Sequence, residues 1–194
     1  MQFEHSSKNY LKIANELIAH LKAAIDKSER RKEWTAINLQ TLRDFVSDGL
    51  NMTYYPAPID PTADPSKRSR VKGEFLWDHM SCTEEDVIFI AESEWDSDLG
   101  ELKRDFEKLL YTRCPIKLMM CGGWTDRDDI AAKLSEYARQ CSQNFGPGEI
   151  FILFFVGWPE DDGKRPNHEA FMWQVPGEVC RDDGRKFSFQ SDWE

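Results

Sequence analysis

Apolar residues follow two different rhythms along this chain. At Tyr10, Leu11, Ile13, Ala14, Leu17, Ile18, Leu21 and Ile25 they recur every three or four positions, the spacing that lines one stripe of an α-helix. A helix is predicted over residues 7–27, with Ser6 or Ser7 as its cap. A second stripe over residues 33–46 holds Trp34, Ile37, Leu39, Leu42, Phe45 and Val46 and stops near Gly49, so a helical hairpin opens the chain. Four prolines between positions 56 and 66 make that segment a loop.

Beyond the loop the rhythm changes. Residues 87–91, 116–121 and 149–158 are short continuous apolar runs rich in β-branched and aromatic side chains, as expected of strands buried on both faces. Between them, residues 101–113 place Leu102, Phe106, Leu109 and Leu110 on one helical face, with Asp98 as a cap and Pro115 as a break. Residues 128–145 form the next helix, opened by a capping-box-like pair at Thr125 and Asp128 and closed by the glycines at 146 and 148. A strand over residues 71–78 and a turn over 82–86 precede the first apolar run, and residues 171–175 and 186–189 form a terminal strand pair. Strand-helix-strand-helix-strand from residue 87 onward requires right-handed crossovers and a partly parallel sheet. The predicted class is α/β, a mixed central sheet flanked by helices with an N-terminal helical hairpin. At 194 residues the chain reads as one domain: an arm (1–50), a core (71–158) and peripheral strands (168–194).

A formal charge of −10 and a pI near 5.0 exclude a surface that is basic all over. Two local basic clusters stand out, Lys27 with Arg30, Arg31 and Lys32, and Lys67 with Arg68, Arg70 and Lys72. Either is a solvated stretch or a phosphate contact. The 5 cysteines lack CxxC spacing, which favours reduced thiols over a disulfide framework or a zinc site. The amino terminus shows no signal-peptide pattern, and the longest apolar run, residues 150–156, is too short to span a bilayer. A cytoplasmic protein with no membrane partner is expected.

The run at 87–91 ends in Glu92-Ser93-Glu94. Alternation along a strand points both carboxylates to one face. Like charges brought together in a partly dry place need a proton or a cation between them. Asp78 ends the preceding strand and is the third acid of the constellation. Magnesium takes oxygen ligands and uses one or two carboxylates with water and phosphate, so Asp78, Glu92 and the Ser93 carbonyl form a candidate metal site, with Glu94 acting on water or on a second ion. Such an ion would support phosphodiester hydrolysis. His5, His20, His79 and His168 are scattered and read as packing or surface residues, as Trp95 reads as a core residue. No GxSxG, HExxH or P-loop pattern is present.

An acid ending one strand, a short connection, an acid-x-polar triplet ending an apolar strand, then a helix and a strand: this order, over residues 71–121, resembles the PD-(D/E)xK nuclease superfamily, to which many restriction endonucleases belong. The resemblance implies a restriction-endonuclease-like fold, a Mg²⁺ or Mn²⁺ cofactor held by Asp78 and Glu92, and DNA as substrate. It matches Asp78 to the first acid, Glu92 to the second and Glu94 to the position usually held by lysine. Trp77 stands where proline is common. Lys117 on the following strand, or Lys108 on the helix, is then the relocated ammonium, with Lys117 assigned to the catalytic set beside Asp78, Glu92 and Glu94. A further acid from the helical arm, Glu33 or Asp44, is also implied. The missing lysine leaves an alternative, a catalytically silent nuclease-fold protein that binds or inhibits a protein partner.

Overall fold

A computed structural model of the chain describes residues 7–25, 34–50, 52–55, 78–84, 86–95, 98–122, 124–141, 145–146, 148–157, 168–174 and 179–181. Helices α1 (Ser7–Ile25) and α2 (Trp34–Asp44) come first, and α2 runs into a π-helical turn, Phe45–Gly49, that buries Phe45 and Val46. There follow β1 (Thr53–Tyr55), β2 (His79–Cys82), β3 (Val87–Glu94), α3 (Leu99–Leu110), β4 (Ile116–Gly122), α4 (Arg127–Gln140), β5 (Ile150–Val156), β6 (Glu169–Gln174) and β7 (Val179–Arg181). The strands form one seven-stranded sheet in chain order. β3, β4 and β5 are mutually parallel, and the other neighbouring pairs are antiparallel.

This order explains the two rhythms. β4 sits between two parallel neighbours and β5 between parallel β4 and antiparallel β6, and both are buried at every position, so their sequences have no polar alternation to show. The crossovers β3-α3-β4 and β4-α4-β5 advance in one direction across the sheet, and connections of one hand then place both helices on the same face. Phe106, Leu109, Ala131 and Leu134 pack there with Ile90, Met119 and Leu153. On the other face Leu17, Leu21 and Leu42 of the hairpin meet Phe89, Leu118 and Ile152. The hairpin is therefore a full layer of the core, and the class is α/β in three layers.

Several boundaries differ from expectation for identifiable reasons. β3 continues through Glu94, because Glu92, Ser93 and Glu94 pair in register with Met119, Met120 and Cys121 of β4. Parallel pairing thus carries the acids into the sheet. Strand β2 occupies His79–Cys82, and only the tighter segment from Thr83 to Asp86 turns, closed by the Thr83 N–H donating to the Asp86 carbonyl at 3.0 Å. Of the strand expected over 71–78, only Asp78 lies among the described residues, and the strand expected over 186–189 lies outside them, as do both basic clusters and Glu33. The α4 cap is Asp126, whose carboxylate accepts from Asp129 N–H at 3.4 Å, rather than Thr125. Asp98 caps α3 as expected, accepting from Gly100 and Glu101 N–H at 2.6 and 3.1 Å. Cys82, Cys114, Cys121 and Cys141 are free thiols. Among the described residues no helix is long and apolar enough to cross a membrane.

Candidate acid-lysine site at the end of β3

In open α/β sheets, ligand crevices lie beyond the carboxyl ends of the parallel strands. Here that edge of β3 carries the acids. The β2–β3 register pairs His79 with Ala91, and one further step brings Asp78 opposite Glu92. Asp78 then hydrogen-bonds to both Glu92 and Ser93. Asp78 N–H donates to Glu92 Oε1 at 3.1 Å, while Asp78 Oδ2 accepts from Ser93 N–H at 2.9 Å and from Ser93 Oγ at 2.5 Å. Side-chain oxygens thereby satisfy backbone donors at the rim of the ladder.

Ile90 belongs to the cluster under α3 and α4, and with a period of two Glu92 and Glu94 point to that same face. α3 buries Leu102, Phe106, Leu109 and Leu110 against it, which leaves Asp105 and Lys108 on the flank nearest β3. Lys108 Nζ lies 3.0 Å from Glu92 Oε2 and 2.7 Å from Asp105 Oδ1. The Glu92 side chain is 3 % exposed and that of Lys108 31 %. The ammonium thus reaches a nearly dry carboxyl from a wetter position.

Burial, and then the neighbouring charge of Asp78, push the Glu92 carboxyl up to about 8, against the opposing pull of Lys108. Burial works against the Lys108 ammonium, yet hydrogen bonds to Asp105 and Glu92 more than offset this and raise its pKa. Among the described residues that meet here, one lysine faces three acids. At neutral pH burial and the Asp78 charge keep Glu92 on the protonated side of its titration.

Not all the sequence-predicted residues come together. Asp78 and Glu92 do, with Glu94 two positions further along the same face of β3. Lys117 does not join them: it is fully buried, 2.6 Å from Glu149 Oε2, with its ammonium 4.2 and 4.7 Å from the ring centroids of Phe145 and Phe151. Lys108 holds the place beside Glu92 instead. Asp44 is exposed on α2 and accepts from Gln40 at 2.6 Å, away from the cluster. His79 is a packing residue, 1 % exposed and hydrogen-bonded to Ser81 Oγ at 2.6 Å; burial, then the charge of Arg43, take its pKa down to about 3. Trp95 packs on Gly122, where a Cβ would sit 3.0 Å from the indole. Two participants escaped the sequence reading, Ser93 through its side chain and Asp105. The second had a visible signal, since Asp105 and Lys108 stand three apart on one helix.

For a divalent cation the donor elements are suitable but the arrangement does not fit, since the Glu92 side chain is 3 % exposed with Oε1 taken by Asp78 N–H and Oε2 by Lys108. Asp78 and Glu92 are hard oxygen donors in the number that magnesium commonly draws from a protein, the rest of its sphere being water and substrate oxygen. Among the described residues no group of three or more His, Cys, Asp or Glu side chains is arranged to hold a metal, so any such ion would depend on those outside ligands. Comparisons with protein-family models, with curated proteins and with solved structures returned no match.

Proposed function

We propose that the protein is a metal-dependent nuclease of the PD-(D/E)xK type that hydrolyses phosphodiester bonds of DNA, with Lys108 of α3 serving in place of the motif lysine that Glu94 replaces. The observation that carries this reading is the ammonium of Lys108 at 3.0 Å from Glu92, with Asp78 clamped against Glu92 from the neighbouring strand. The order of acid, strand, acid, helix and strand agrees with it. A Mg²⁺ or Mn²⁺ ion held by Asp78 and Glu92 would polarise the phosphate and ease ionisation of water.

The chain's own groups divide the remaining work. Asp78 and Glu92 form the anionic seat. Lys108 supplies a fixed positive charge beside that seat, where negative charge grows on the phosphoryl oxygens during displacement. Asp105 holds the lysine on the β3 side of its helix. Glu94, two residues beyond Glu92 on the same face, is the carboxylate that would accept a proton from water. Cleavage of plasmid and single-stranded DNA, with Mg²⁺, Mn²⁺ or chelator, tests the proposal. Glu92→Ala and Lys108→Ala are each expected to lower metal-dependent cleavage at least about 100-fold. Absence of metal-dependent cleavage of any DNA or RNA by the wild type, together with no Mn²⁺ binding, would sink it.

A second reading is favoured by the net charge of −10 and by an acid at the lysine position. In it the nuclease fold is silent and its acidic surface binds a basic protein, as an interaction or inhibitor module. A stable stoichiometric complex with such a partner, from a wild type that does not cleave, would select it.

A further inference from the structure

The two crossover helices leave a cleft between them, on a different flank of α3 from Lys108. Its volume is about 510 Å³, and its lining includes Leu99 and Lys103 of α3 with Lys133, Leu134, Glu136 and Tyr137 of α4. That size suits a ligand of one or two rings. Leu134 is buried at the base, whereas Leu99, 38 % exposed, is one of the few large apolar side chains among the described residues left open to solvent.

The charged groups on the lining are not equivalent. Glu136 is committed: Arg139 donates to both of its oxygens at 2.7 Å, and Gln140 adds a bond at 3.1 Å. Lys133, one turn before Tyr137 on α4, is held by Asp129 at 2.6 Å. Lys103 differs. Its ammonium lies 4.4 Å from the centroid of the Tyr137 ring and 4.0 Å from Glu107 Oε1, too far for a hydrogen bond. That same oxygen accepts from the Tyr137 hydroxyl at 2.7 Å. Among the described residues, the Lys103 ammonium therefore meets no hydrogen-bond acceptor.

We propose that this cleft binds a small aromatic monocarboxylate, its ring against Leu99 and Leu134 and its carboxylate hydrogen-bonded to Lys103. The carboxylate is the acceptor that the ammonium lacks, and a charge-assisted bond of this kind is among the stronger ones. A cationic ligand would have to take Glu136 from Arg139. A phosphate dianion would find one ammonium without a hydrogen-bonded acid, where it calls for more. A flat ring fits between leucine side chains and lysine stems, and its rigidity limits the freedom lost on binding. The proposal is independent of the nuclease reading.

The test titrates the full chain with 2-naphthoate, followed by backbone amide chemical shifts, for wild type, Lys103→Gln and Lys103→Arg, with the melting temperature of each recorded. Wild type is expected to bind with a Kd of about 1 mM or below, the shifts centred on residues 99–103 and 133–140. Lys103→Gln should bind about 10-fold more weakly, and Lys103→Arg within about threefold of wild type. The neutral 2-naphthamide should not distinguish wild type from Lys103→Gln. The Lys103 side chain is 51 % exposed, so these variants are expected to fold; Leu99→Glu, which sets a like charge at the mouth, is a second variant expected to abolish binding. No saturation by about 10 mM, or shifts centred elsewhere, overturns the site. Equal affinity of wild type and Lys103→Gln for 2-naphthoate overturns the role of the ammonium. Binding of 2-naphthyl phosphate more than about 10-fold tighter than 2-naphthoate overturns the ligand class.

Discussion

Two ammonium-carboxylate pairs lie on the α3/α4 side of the sheet near its two ends, and they differ in kind. Lys117 and Glu149, at the amino ends of β4 and β5, are matched one to one, with side chains 0 % and 7 % exposed and two phenyl rings over the ammonium. Burial lowers the Lys117 pKa, and Glu149 works against that lowering. The loop before β5 closes around the pair, Gly146 N–H donating to Glu149 Oε1 at 2.9 Å. Lys108 and Glu92, toward the carboxyl end of β3, are unmatched: Asp78 and Asp105 add negative charge, and the ammonium is partly wet. A balanced dry pair compensates its own charge and anchors a loop. An excess of carboxylate over ammonium leaves a demand for positive charge, which is the property of a site.

The largest effect that separates the two is expected at the dry pair. Lys117→Met strands Glu149 without its partner and should cost about 3–5 kcal/mol of stability, measured by urea unfolding, while the double variant Lys117→Met/Glu149→Leu should recover most of that loss. A single substitution costing under about 1 kcal/mol would mean that the pair anchors nothing.

The next effect concerns pH and the unmatched pair. The folded-state pKa of Glu92 lies near 8, above the ordinary 4.5, so the folded protein holds a proton that the unfolded chain releases. That contribution to stability is complete below about pH 4.5 and is lost as pH rises toward 8. His79 acts in the opposite sense: its pKa is depressed to about 3, and its contribution, present above about pH 6.5, is lost as pH falls toward 3. Between about pH 6.5 and 8 the His79 contribution has levelled off while that of Glu92 falls. The metal-free protein is expected to lose on the order of 1–2 kcal/mol across that window, and Glu92→Gln to flatten the slope. Saturating Mn²⁺ should flatten it as well, since a bound cation favours the ionised carboxylate. A wild-type profile that rises with pH would contradict the assignment.

The smallest change in stability belongs to Lys108→Met, within about 1 kcal/mol of wild type, because its ammonium is 31 % exposed and partly screened by solvent. Its effect on cleavage is expected to be among the largest. A variant that unfolds readily yet retains cleavage would reverse the contrast drawn between the two lysines.

Much of this protein was settled along the chain itself. The period of the apolar stripes placed the starts of all four helices to within about two residues, though α4 ends at Gln140 and not near 145, and the unbroken runs at 87–91, 116–121 and 149–158 marked the buried parallel strands, because neighbours in sequence impose those patterns whatever else the chain does. The same alternation set Glu92 and Glu94 on a common face. Which lysine meets them was decided only by folding. Lys108 and Lys117 have the same chemistry and both follow the acids in sequence, but the packing of α3 swings the first onto Glu92, while the register of β4 fixes the second beside Phe151 and Glu149. Local periodicity carries no information about contacts between elements. Asp78 over Ser93, Lys108 over Glu92 and Lys117 under the rings all depend on how separate elements are laid side by side.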